Sequence, residues 1–202
     1  MEHTLDTQIW LPQPPEEVFP FFCDAFNLER ITPDALRFRI VTPRPITMGV
    51  GATIDYRLRL RGIPFSWQTL ISDWRPPFGF DDEQVTGPFG RWVHRHRFVA
   101  SDGGTLMIDR IDYALPLSPV SDILHPLVRN ELLAIFRYRH EAIRELFQLD
   151  SDVGTTILID ARQPAVRDSN PAGEAWAVKL LYDGACPFCR KEVEWLQRWD
   201  KT

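Results

Sequence analysis

Two groups of residues in this chain have types and spacings that could do chemistry. Near the end, Cys186-Pro187-Phe188-Cys189 follows the apolar run Ala177 to Tyr182 and the turn Asp183-Gly184-Ala185, and it precedes a helical pattern from Arg190 to Trp199. A cysteine at a helix start has its thiolate stabilised by the helix dipole and by free backbone N–H groups, which makes Cys186 a nucleophile. Cys189, one turn on, is placed to resolve a mixed disulfide. Half of a zinc site is the competing reading, and there is no second cysteine pair to support it.

The second group lies on two neighbouring runs of period two. Trp92, His94, His96 and Phe98 alternate with Arg91, Arg95 and Arg97. Strand side chains alternate between faces, so if Trp92 and Phe98 point into a core, His94 and His96 do too. On the next run Met107, Asp109, Ile111 and Tyr113 share a face, which puts Asp109 beside the histidines. Phe80, Asp82 and Gln84 share a face in the same way. Such groups can satisfy one another as a buried hydrogen-bonded network, orient the carbonyl or hydroxyl of an apolar ligand, or act as an acid/base pair in a cyclisation or dehydration. His-x-His sets two imidazoles side by side, but no further His or Cys is suitably spaced, so neither a metal nor another cofactor is expected.

The elements that must position these groups are legible from periodicity. Thr4 to Leu11 reads as a strand. Pro14-Pro15-Glu16-Glu17 opens a short aromatic helix with Phe19, Phe22 and Phe26, and a further helical turn follows at Asn27 to Ile31. Cys23 within it reads as a buried, inert thiol. Short strands are expected at Phe38 to Val41, Ile54 to Leu60, Phe65 to Ile71, Phe80 to Val85, Trp92 to Phe98 and Thr105 to Leu115, with Asp102-Gly103-Gly104 the clearest hairpin turn. The stripes Arg57/Arg59/Arg61 and Arg91/Arg95/Arg97 should face outward, either solvated or as a docking face for an acidic partner or a membrane.

The organising stretch is Pro119 to Leu149, an amphipathic helix with Ser118 as N-cap and Pro119 at its first position. Val120, Leu124, Leu127, Val128, Leu132, Ile135, Ile143, Leu146 and Phe147 mark its apolar side. From Pro126 to Gln148 it would be about 35 Å long, so the preceding antiparallel sheet must curl around it, leaving a cavity wherever side chains do not fill the space. The expected fold class is α+β, a curved antiparallel sheet wrapped on a long C-terminal helix.

This order of elements, together with Leu11-Pro12-Gln13-Pro14-Pro15-Glu16-Glu17-Val18-Phe19, Trp92-Val93-His94-Arg95-His96 and Gly104-Thr105-Leu106-Met107, resembles the SRPBCC superfamily. That group comprises START-related and polyketide cyclase/dehydrase-like helix-grip domains. The resemblance implies a small apolar ligand (a lipid, polyketide or quinone-like molecule) held between sheet and helix by Tyr56, Trp67, Trp92, His94, His96, Met107, Asp109 and Phe136. It also leaves open a cyclase or dehydratase using His94, His96 and Asp109. Tyr182 to Cys189, with Asp183, Cys186 and Cys189 matching Asp-x-x-Cys-x-x-Cys, resembles the DCC family of thiol-disulfide oxidoreductases, which implies a redox segment acting on a protein dithiol or disulfide partner. The expected domains are 1–149 for the helix-grip part, 150–175 for a linker with a short strand at Thr155 to Ile159, and 176–202 for the start of a thioredoxin-like domain. Those 27 or so residues are too few to fold alone, so the chain is expected to be part of a longer two-domain fusion.

Bulk properties bound the rest. A net charge of -5 over 202 residues disfavours nucleic acid as a partner. The N-terminus has no basic-then-apolar leader and no apolar run approaches the roughly 20 residues of a membrane span, so the cytoplasm is the expected location.

Overall fold

The period-two segments pair with their neighbours in sequence, as short hairpin connections require. The computed structural model describes residues 1–149 and 155–160. Its strands are β1 (Glu2–Leu11), β2 (Arg39–Ile40), β3 (Thr53–Leu60), β4 (Ile63–Arg75), β5 (Gly79–Thr86), β6 (Arg91–Ser101), β7 (Gly104–Ala114) and β8 (Thr155–Ile159). They form a single antiparallel sheet in the order β2-β3-β4-β5-β6-β7-β1-β8. Helix α1 (Pro15–Cys23) and a 3-10 helix (Ala25–Ile31) follow β1, and the long helix α2 (His125–Leu146) follows β7. This is the helix-grip arrangement, a curved antiparallel sheet closed by a long helix.

The β6–β7 turn fixes the register on which the site depends. Asp102 and Gly103 have φ of 50° and 77°, and Ser101 pairs with Gly104, the geometry of a two-residue primed turn. That register sets His96 opposite Asp109. At Gly104 there is no room for a side chain, because an added Cβ would lie 2.2 Å from the Leu11 carbonyl oxygen.

Three core clusters pack against the sheet, the smallest formed by Ala25, Ile54 and Tyr56. Ile9, Leu11, Val18, Phe19, Phe80, Phe98, Met107 and Ile143 pack at one end, while Leu5, Trp92, Ile111, Tyr113, Leu132 and Phe136 pack at the other. Thr155–Ile159, read as a short strand in a connecting segment, lies on β1 and adds Ile159 to the second cluster.

The helix differs from expectation at its start. Val120–Leu124 is a 3-10 helix, Pro119 precedes it, and Ser118 Oγ donates to the Asp122 carboxylate instead of capping a backbone N–H. The α-helix begins at His125, which places Pro126 in the first turn, where the N–H it lacks would have had no partner. Val120, Leu124, Leu127 and Leu146 are exposed, so the buried stripe is narrower than the sequence pattern: Leu132, Phe136, His140 and Ile143. The expected arginine stripes also divide. Arg57, Arg59 and Arg61 are exposed, whereas Arg95 and Arg97 are half-buried and held by Asp81 and Asp112. Among the described residues no helix is long and apolar enough to cross a membrane.

Candidate functional site

Spacing of three and four residues aims Leu132, Phe136, Arg139 and His140 of α2 at the sheet. Between them and the inward residues of β3 to β7 lies a cavity of about 230 Å³. Its walls are mainly apolar, with Ile54, Leu58, Phe65, Trp67, Ile71, Phe80, Trp92, Met107, Ile135 and Phe136 contributing. Tyr56, Thr69, Asp82, His94, His96 and Arg139 are among the polar side chains that line it, with Asn27, Thr32 and Glu131 also on its wall.

Cross-strand pairing assembles the floor. Asp82 is opposite His94 on the β5–β6 pair, and Phe80 is opposite His96. His96 Nε2 lies 3.1 Å from Asp82 Oδ2 in hydrogen-bond geometry, and His94 Nδ1 lies 3.6 Å from the same oxygen. The remaining nitrogens approach Asp109 from the other side, His96 Nδ1 at 2.7 Å and His94 Nε2 at 3.5 Å from Oδ1. Neither of these two contacts has the alignment of a hydrogen bond. The two imidazoles are 3.8 Å apart between centroids, and Phe80 stacks on His96 at 4.2 Å.

Burial and charge pull the two histidines apart. Burial and the neighbouring His96 charge lower the pKa of His94. Burial would lower His96 as well, but the Asp109 and Asp82 carboxylates outweigh it and raise His96 to about 9. Burial works to raise Asp109, yet contact with both histidines holds it well below the usual carboxylate range. His96 therefore carries a charge at neutral pH while His94 does not. Burial and the Asp82 charge push the Tyr56 hydroxyl far above its ordinary value, so it is a neutral donor. Trp67 Nε1 donates to Thr69 Oγ1 at 3.0 Å.

The residues singled out from sequence fall in three places. Tyr56, Trp67, Trp92, His94, His96, Met107 and Phe136 line the cavity. Asp109 sits behind the histidines, 3% exposed, and does not reach the cavity itself. Asp183, Cys186 and Cys189 lie outside the described residues. Sequence reasoning placed Asp82 among the polar groups of a pocket floor without ranking it with the principal site residues, and it missed Arg139 altogether. Arg139 lies over the Phe136 ring at 4.7 Å, and burial lowers its pKa. The signal that finds it is its place three residues after Phe136 and seven after Leu132, on the stripe that faces the sheet.

Residues 11–137 match the family described as polyketide cyclase/dehydrase and lipid transport. The chain belongs to this family. No curated protein sequence matches it. Among solved structures it is similar to a START superfamily protein from Mycobacterium smegmatis, with a TM-score of 0.54 and 12% identity over 72% of this chain and 97% of that one. The ZhuI aromatase/cyclase from Streptomyces sp. R1128 aligns with a TM-score of 0.52 and 16% identity, over 72% and 96% of the two chains. A major latex-like protein from Panax ginseng gives 0.55 and 14%, over 73% and 98%. At these identities the likeness to the three structures is one of fold. Within the family fold, this chain itself places Asp82, His94 and His96 in the cavity wall, with Asp109 behind the two histidines.

Proposed function

We propose that the helix-grip domain binds a small, largely apolar molecule, of lipid, polyketide or quinone type, in the cavity between β3–β7 and α2. The observation that carries this reading is the cavity itself: a mainly apolar chamber with a small number of polar side chains in its wall, Asp82, His94 and His96 grouped among them, the form that small-molecule sites take. Tyr56, His94 and His96 meet a carbonyl or hydroxyl of the ligand, and Trp67, Trp92 and Phe136 cover its apolar body. Titrating the protein with a hydroxylated polycyclic aromatic probe while following tryptophan fluorescence tests this. Saturable quenching that weakens in Phe136→Ala supports it, and quenching without saturation contradicts it.

A second reading, a cyclase- or dehydratase-type step, is favoured by one specific feature. Two imidazoles 3.8 Å apart border the cavity with a carboxylate on either side of them. A poly-β-ketone mimic that binds to the His96→Gln variant but is turned over only by the wild type would support it. Turnover unchanged in that variant would remove it. For Tyr182 to Cys189 we propose a thiol-disulfide oxidoreductase segment of DCC type acting on a protein dithiol, with Cys186 as nucleophile and Cys189 resolving. It rests on the motif alone. Reduction of a protein disulfide by the complete protein, lost in Cys186→Ser, is the test.

A further inference from the structure

We propose that Asp82, His94 and His96 form a binding site for a first-row divalent cation, Zn²⁺ by donor set, with one coordination position open to the cavity. One donor atom from each residue lies within 4.8 Å of the other two, so a single ion can reach all three. His96 Nε2 and His94 Nδ1 stand 3.1 and 3.6 Å from Asp82 Oδ2. Those separations suit ligand atoms each about 2.0–2.2 Å from a common centre.

Three features separate this group from an ordinary buried network. Both histidines present one nitrogen to Asp82 and the other to Asp109, so a single carboxylate stands behind both rings, where outer-shell partners of metal-bound histidines stand. All three donors lie on adjacent strands: β5–β6 pairing fixes Asp82 against His94, and the two-residue step along β6 fixes His94 against His96. All three also border the cavity, so the fourth position faces bound ligand and not protein. Two imidazoles and one carboxylate with an open position form the donor set that first-row divalent ions take in reactive sites. The two carboxylates balance the charge of the ion, and the Arg139 guanidinium, which lines the same cavity, favours an anionic fourth donor, such as hydroxide or a ligand carboxylate. An ion there would polarise a ligand carbonyl placed on the floor.

This deepens the cavity reading by naming what the floor holds, yet it is measured with metal alone, so its failure leaves that reading standing. The test uses the full chain with Cys186→Ser and Cys189→Ser, which removes the competing thiols, stripped of metal and titrated with Co²⁺ and then Zn²⁺. One equivalent of Co²⁺ should bind with visible ligand-field bands and be displaced by Zn²⁺. His94→Gln, His96→Gln and Asp82→Asn should each weaken binding by more than about 100-fold, and Asp109→Asn by about 10- to 100-fold. His3→Gln should leave it unchanged, although His3, His125 and Asp160 form the other cluster of suitable donors among the described residues. If a histidine variant fails to fold, imidazole nitrogen shifts of the unaltered sites on adding Zn²⁺ give the answer, moving at His94 and His96 and not at His3 and His125. Absence of one-to-one binding, binding indifferent to Asp82→Asn, or loss on His3→Gln would overturn the proposal.

Discussion

Replacing Asp109 by Asn keeps the side chain's shape and removes its charge, so it measures what the buried carboxylate contributes in the metal-free protein. Asp109 is 3% exposed and lies 2.7 Å from the charged His96. Removing one member of a buried ion pair costs about 3–5 kcal/mol. The rise of the His96 pKa from 6.5 to about 9 gives a similar figure, about 3 kcal/mol at 1.36 kcal/mol per unit, part of it owed to Asp82. We expect Asp109→Asn to destabilise by about 3 kcal/mol, a fall in Tm of about 6–12 °C for a domain of this size. The pH dependence has a definite sign. A raised folded pKa means that the contribution of His96 is complete below 6.5 and disappears as pH climbs from 6.5 through about 9. The variant's penalty should therefore be full near pH 6 and shrink by pH 10. Urea unfolding in a chelator at several pH values reads both quantities. A penalty below about 1 kcal/mol, or one that does not change with pH, would refute the charged His96–Asp109 pair.

Phe136→Ala removes a ring that is 2% exposed and should cost about 3–5 kcal/mol by denaturant unfolding. Gly104→Ala drives a Cβ into the Leu11 carbonyl oxygen and the Trp10 ring, so Tm should fall by an amount equivalent to about 1–3 kcal/mol. Asp112 is partly buried, which opposes its ionisation, but the Arg95 hydrogen bond and the Arg110 charge hold its pKa below the ordinary value. Its contribution is present above the ordinary carboxylate range and is lost as pH falls through the depressed value. Asp112→Asn should thus reduce stability at pH 7, by under about 1 kcal/mol because the pairs are partly screened, and should flatten the acid limb of the stability curve.

What the sequence revealed follows from which distances its local rules fix. A two-residue turn at Asp102-Gly103 determines the β6–β7 register, so the meeting of His96 with Asp109 could be read before any coordinates. The β5–β6 connection is longer and β4–β5 carries register shifts between Gln68 and Thr69 and between Ile71 and Asp73, so the approach of Asp82 to His94 was not fixed by counting residues. Arg139 was hidden for another reason. Its face is set by how α2 rotates on the sheet, and the apolar positions Val120, Leu124 and Leu127, which widened the stripe in the sequence, turn out to be exposed. Ser118-Pro119 had the residue types of a helix start, but the 3-10 segment there gives the hydroxyl a carboxylate partner. Asp183, Cys186 and Cys189 lie beyond the described residues, so their reading stands on spacing alone.

Native mass spectrometry of the freshly purified protein bears most directly on the cavity as a ligand site. We expect an added mass that leaves on organic extraction, proves to be a small apolar molecule with a carbonyl or hydroxyl group, and disappears in Ile135→Trp, where a larger ring fills the chamber. A protein that carries no such molecule and takes up none from a mixture of lipids, polyketides and quinones, while Ile135→Trp behaves identically, would contradict the ligand-site reading.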